Sequence, residues 1–173
     1  MRSLRAQAAP AVRSGPDWMH LSGYALLGDG SHPAAQRAMA AARRQPVRWS
    51  VDAASAAPLR ASGPSRFLHW IEGADVLFAN DDELHAIGGV RAALGSAHEV
   101  VAKLGHAGAS WTDGDRSESS PAASATVVDT VGAGDAFDAG FLSARLGGAD
   151  AAAALHAGTI AAARAVSQRG ARP

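Results

Sequence analysis

Val127–Gly140 read VVDTVGAGDAFDAG, with Gly132 and Gly134 one residue apart between an apolar, β-like run and a run of helical spacing. Both glycines let the backbone turn tightly and come close to another group, and Ala133 between them adds almost no bulk. ATVVD reads as a strand, Thr130–Gly134 as a crossover and Asp135 onward as a helix. The first amides of a helix lack intrahelical partners and its dipole places partial positive charge there, so the crossover is built for an anion. A carboxylate beside an anion is repelled by it, and Asp135 therefore needs a reason. It takes a proton from an attacking hydroxyl, helps hold a cation, or begins and caps its helix.

Working outward, strand and helix alternate. Trp18–Leu21 reads as a strand ending at Ser22 and Gly23, and SHPAAQRAMAAARRQ as a helix with Ser31 as its cap and Pro33 in its first turn. Val47, Trp49 and Val51 alternate in a second strand that ends at Asp52; a short helix carries Phe67, Leu68 and Ile71; a third strand covers Ala74–Ala79. Short helices follow in DDELHAIGG and VRAALGS, then a strand in HEVVAKLG. A β pair is expected across ASWTDG and SATVVDT, turning at Asp113-Gly114. Two longer helices close the chain. Phe137, Phe141 and Ala144 share one face of the first, Leu155, Thr159, Ala162 and Val166 one face of the second; Gly147 and Gly148 end the first and Asp150 caps the second. This order predicts an α/β fold, a layered and mainly parallel sheet with helices on both faces, whose ligands sit beyond the carboxyl ends of the strands. Residues 1–17 are expected to be a flexible or partial N-terminal connection and 18–173 the folded part.

Composition narrows the function. The chain has 173 residues, 47% hydrophobic and 18% charged, enough for one domain with a core. Its formal net charge is zero, so no global field draws it to nucleic acid or an anionic membrane, and a phosphate site must be local. The absence of cysteine removes disulfide scaffolds, thiol catalysis and cysteine-ligated metals. No secretory signal and no membrane-spanning run is read, and a cytoplasmic protein is expected. His20, His69, His85, His98 and His156 fall in separate elements without metal-ligand spacing. His106 reads as an exposed loop residue, and the four tryptophans as core or sheet-edge residues. The crossover lacks the lysine of the P-loop, and the dinucleotide pattern would need a further glycine near Phe137.

The whole run DTVGAGDAFDAGFL closely resembles the C-terminal signature of the ribokinase-like, or PfkB, family of carbohydrate kinases. LSGYALL, ADVLFANDDEL with its Asn-x-x-Glu pattern, VVAKLGHAGA and AVSQRGA resemble other family segments in the same order, together covering the chain from Trp18 to Ala171. The resemblance implies ATP-dependent phosphorylation of a sugar or related small-molecule hydroxyl. In it Asp135 is the general base and the amides of Gly132, Ala133, Gly134 and Asp135 form the anion hole. Asn80 and Glu83 help to organise Mg2+, and Lys103, Gly105, Gly108, Thr130, Gly132, Gly134 and Gly170, with Ala171 beside it, lie on the nucleotide side. Asp129 matches a position that contributes to a monovalent cation such as K+ in some members, and could equally close the strand with a turn. Read without the resemblance, Asn80 is a helix cap and Glu83 a first-turn acid. Asp52 resembles a position near the phosphates, but DAASAAPLR departs from the family's Asp-Pro-Asn form.

The family's N-terminal sugar-binding region and small β lid have no counterpart in the chain as read. The expected partners are therefore a sugar or related alcohol and either a second copy of the chain, as a homo-oligomer, or the missing N-terminal half; neither nucleic acid nor membrane is expected. Two alternatives stay open: a truncated nucleotide-binding protein with little or no kinase activity, and a structural remnant acting through assembly.

Overall fold

The computed structural model describes residues 16–170, so most of the expected connection over residues 1–17, and Ala171, lie outside the described residues. Strand β1 (Trp18–Ser22) is followed by α1 (Gly23–Leu27), α2 (His32–Ala42), β2 (Arg48–Asp52), α3 (Ala56–Ser62), α4 (Pro64–Trp70) and β3 (Ala74–Asn80). Then come α5 (Asp81–Ala86), α6 (Val90–Leu94), β4 (Ala97–Lys103), a 3-10 turn (Gly105–Ala107), β5 (Ala109–Thr112), β6 (Ser117–Ser120), α7 (Ala133–Leu146) and α8 (Ala151–Val166).

The strands form one sheet in the order β1-β2-β3-β4-β5-β6; the first three pairings are parallel and the last two antiparallel. Parallel crossovers are right-handed, so strands laid down side by side in one direction send their connecting helices to one face. Leu26, Met39, Leu59, Phe67, Leu84 and Ala93, one from each of α1 to α6, accordingly pack with Trp49, Val51, Leu77 and Val100 in a single core. The other face carries Val76, Phe78, Val101 and Trp111 and is covered by α7 and α8. Phe141 of α7 is fully buried there, its ring 5.3 Å from that of Phe78 in an edge-on contact. Burial on that scale contributes about 1.5–3 kcal/mol for a phenylalanine. The anticipated faces of the two long helices are the ones that pack, and Asp150 caps α8 by accepting from the Ala153 amide at 2.8 Å.

One strand lies elsewhere than expected. SATVVDT is not a strand; the partner of β5 is Ser117–Ser120, reached directly after the turn at Asp113-Gly114. Val127 and Val128 are exposed, and the Val128 and Asp129 amides bond to the Val166 carbonyl at the end of α8. The valines look like a strand by propensity, but the backbone there is satisfied by a helix end. Ser31 stands at the cap position of α2 as expected, but its hydroxyl caps no helix amide and donates back to the Gly28 carbonyl instead.

Candidate functional site

Strand alternation sends His20 of β1, Asp52 of β2 and Lys103 of β4 to the α7 side, because Trp18 and Val101 pack on that face and Val51 on the other. All three stand at or near the carboxyl ends of their strands. Asp138 of α7 meets them from above. Lys103 Nζ donates to Asp52 Oδ2 and lies 3.3 Å from Asp138 Oδ1 and 3.4 Å from its Oδ2. Trp18 Nε1 donates to Ser50 Oγ at 2.9 Å, Ser50 Oγ is 2.8 Å from His20 Nδ1, and His20 Nε2 is 3.9 Å from Asp138 Oδ2. With the indole already donating to it, the Ser50 hydroxyl is free to donate to Nδ1, which leaves the ring proton of His20 on Nε2, facing Asp138.

Burial sets the charges. It pushes Asp138 up to about 9, against the attraction of Lys103 and with Asp52 adding to the rise, so the carboxyl holds its proton at neutral pH. Burial would also raise Asp52, but the charge of Lys103 and the hydrogen bonds from Lys103 and the Ala54 amide outweigh it and hold that carboxylate low. For Lys103 burial acts downward and the two aspartates overcome it, keeping the ammonium charged. Burial lowers His20 despite the nearby Asp52.

The α7 N-terminus lies against this cluster. Gly132 is its cap, in the left-handed region at φ 79°, and the first amide to bond back along the helix is that of Ala136, to the Gly132 carbonyl at 2.9 Å. The Ala133 amide closes a turn on the Thr130 carbonyl at 3.3 Å. A Cβ at Gly134 would stand 3.3 Å from Lys103 Nζ, so the missing side chain is what lets the ammonium approach the helix. Asp135 is exposed in that first turn, near enough to His20 to raise its pKa.

The other expected residues are placed as follows. Asn80 and Glu83 form a closed capping box at α5. The Glu83 amide donates to Asn80 Oδ1 at 2.9 Å, while Glu83 Oε2 accepts the Asn80 amide at 2.9 Å and Oε1 accepts Asn80 Nδ2 at 2.8 Å. Burial raises the Glu83 carboxyl although the Asn80 amide opposes it. Asn80 is the register partner of Lys103, which brings the box to the same strand ends. Asp129 Oδ1 accepts the Val131 amide and Oδ2 the Gly170 amide, both at 3.0 Å, and these bonds hold its pKa low. Gly105 and Gly108 bracket the 3-10 turn that follows β4, and Gly108 is packed against the Ser120–Ala122 backbone. His106 is exposed there. The Thr130 carbonyl accepts the Ala133 amide. No cluster of metal-ligating side chains occurs among the described residues, and no described helix is long and apolar enough to cross a membrane.

Beyond Gly108 the chain borders a groove of about 410 Å³, with Ala123 and Ser124 on one side and Ile160, Ala163, Arg164 and Ser167 on the other. A second groove, near 360 Å³, lies between Met39 of α2 with Arg43 just after it and Trp70 and Glu72, on the approach to β3, away from the strand carboxyl ends.

Asp138 and His20 are the members of this cluster that spacing did not single out. The signal for Asp138 was present: it falls between Phe137 and Phe141, so it is an acid on the buried stripe of α7. His20 carried no local signal, since only the sheet register brings it to Ser50.

A mainly parallel sheet with a glycine-gated helix N-terminus at its carboxyl edge defines the class, and the family comparison agrees: residues 14–173 match the pfkB family carbohydrate kinases, and the chain belongs to that family. It is 44% identical over 91 residues to a 1-phosphofructokinase of Haloferax volcanii, spanning 53% of this chain and 27% of that protein. Among solved structures it resembles the adenosine kinase of Sinorhizobium meliloti (25% identity, TM-score 0.81, 91% of this chain and 51% of that one). It also resembles an E. coli putative ribokinase II in complex with ATP and Mg2+ (25% identity, TM-score 0.80, 90% and 54%). The chain thus spans about a quarter of the first curated relative and about half of each solved relative.

Proposed function

We propose that this chain is the nucleotide-binding and catalytic portion of an ATP-dependent kinase that phosphorylates a hydroxyl of a sugar or related small molecule. One observation carries the reading: the open N-terminus of α7, the Lys103 ammonium against Gly134, and the exposed Asp135 carboxylate converge at the carboxyl edge of the sheet. Amides and an ammonium already oriented there stabilise charge developing on a transferred phosphoryl group without reorganising. Asp135, on the same turn, accepts the proton of the attacking hydroxyl. The groove between Ala123 and α8 is lined by the residues that follow Ser120–Ala122, the segment packed on the Gly108 turn, and has room for the base of a nucleotide.

Both Glu83 oxygens are engaged by Asn80, yet each keeps a lone pair, so the box suits a hold on the water shell of Mg2+ rather than direct ligation. When bound, the ion would neutralise phosphate charge. Asp129 spends both oxygens on backbone amides, and a K+ role for it rests on family likeness alone. A second reading, nucleotide binding without phosphoryl transfer, is favoured by the half-length match to the solved relatives. The strand β1 edge has no described neighbour on its outer side, which supports pairing with another chain; sedimentation velocity over a concentration series checks this, a compact monomer at high concentration rejecting it.

Titration calorimetry on folded protein tests the main proposal. Magnesium-dependent binding of ATP or ADP, tighter than NAD, is expected; no nucleotide binding or tighter NAD binding overturns it. Binding without transfer, in a chain supplied with the rest of the family fold, selects the second reading.

A further inference from the structure

The buried Asp138 has no part in the chemistry assigned to Asp135 one helical turn away. Its side chain is 2% exposed, and its Oδ1, 3.3 Å from Lys103 Nζ, makes no hydrogen bond. A buried oxygen in that position, beside the sole lysine of the chain, is costly unless it does something.

We propose that Asp138 is a positioning residue which, buried behind Lys103, holds its ammonium against the Gly134 end of α7, where it meets the phosphates of the nucleotide. This rests on the nucleotide-site reading above. Lysine is a flexible chain with a point charge, and placing that charge requires anchors on more than one side. Asp52 supplies one from β2 and Asp138 the other from α7, while Gly134 leaves the opening.

The charged and titratable groups around Asp138 are His20 from β1, Asp52 from β2, Lys103 from β4 and Asp135 on α7. Two ionised carboxylates around a single ammonium would make the entrance to α7 negative and repel phosphate. A protonated Asp138 instead leaves the buried trio of Asp52, Lys103 and Asp138 neutral, with no second buried carboxylate to oppose the helix dipole. The strongly raised pKa of Asp138 agrees with that arrangement. An amide reproduces the protonated acid; an apolar side chain does not.

The full chain labelled with ¹⁵N-lysine gives a single amine signal, from Lys103. In the wild type this signal should be protected from solvent exchange and should move on adding MgADP. Asp138→Leu fills the space without a polar atom and should lose the protection and weaken MgADP about tenfold. Asp138→Asn should keep the protection and bind MgADP within about twofold of wild type. Asp135→Asn should leave the free-state signal unchanged. A protected signal in folded Asp138→Leu, or an unprotected one in Asp138→Asn, overturns the proposal. If Asp138→Leu does not fold, the wild type decides: an amine that exchanges as freely as a solvated lysine, or that ignores bound MgADP, overturns it. Failure of every form to bind MgADP sinks the nucleotide reading and with it the phosphate role of Lys103, while the exchange data still show whether Asp138 anchors the ammonium.

Discussion

Asp129 Oδ2 accepts the Gly170 amide at 3.0 Å across 41 residues of sequence, tying the approach to α7 to the chain beyond α8. Its other oxygen closes the turn onto Val131, so the carboxylate joins two segments that flank the proposed nucleotide side. An asparagine has a single acceptor oxygen and loses one of these bonds. Asp129→Asn should therefore speed amide hydrogen exchange at Gly170 or Val131 and leave nucleotide binding equally strong in K+ and Na+. A K+ preference in the wild type that disappears in the variant would assign Asp129 to a cation instead.

Asp135 is exposed and its side chain makes no hydrogen bond or ion pair among the described residues, so Asp135→Asn should leave the fold intact. In a chain supplied with the remainder of the family fold, turnover should fall by about 10²–10⁴-fold, the usual contribution of a positioned base. Nucleotide affinity, read by calorimetry, should stay within about twofold of wild type on this assignment. Undiminished phosphorylation returns Asp135 to a capping role, and a parallel loss of affinity marks a damaged phosphate site.

Asn80→Ala removes the Oδ1 cap of the Glu83 amide and the Nδ2 donor to Glu83 Oε1, leaving the buried Glu83 carboxyl only the backbone amide of residue 80. The cost should be about 2 kcal/mol in urea unfolding, combining a lost cap with a buried group short of donors. If the box also organises magnesium, the Mg2+ concentration needed for half-maximal ADP binding should rise in the same variant. An unchanged magnesium requirement would confine the pair to α5.

Asp138 makes stability depend on pH in a definite direction. Its pKa is raised from 3.8 to about 9 on folding, so between those values the unfolded chain releases a proton that the folded chain keeps. Stability from this group is greatest at acid pH and is lost as pH rises through that window, at a slope bounded by about 1.4 kcal/mol per pH unit. Asp138→Asn removes the group, and its melting temperature relative to wild type should climb steadily from pH 5 to pH 8. A constant difference would mean that Asp138 is ionised in the fold.

The strand–helix order, the packed faces of α7 and α8 and the glycine crossover at 132–134 were legible because they are local: periodicity and turn chemistry act within a few residues. Asn80 and Glu83 were legible as a cap for the same reason. The valines at 127 and 128 misled because strand propensity is local too, whereas their amides are taken by Val166, distant in sequence. What tertiary structure alone decided is the company each charge keeps. His20, Asp52, Lys103 and Asp138 come from three strands and a helix, and a parallel sheet aligns them by register that no spacing encodes. Burial then assigned the protons, leaving Asp52 charged and Asp138 neutral although the two side chains are chemically identical, because solvent exclusion and the nearest cation act through space and not along the chain.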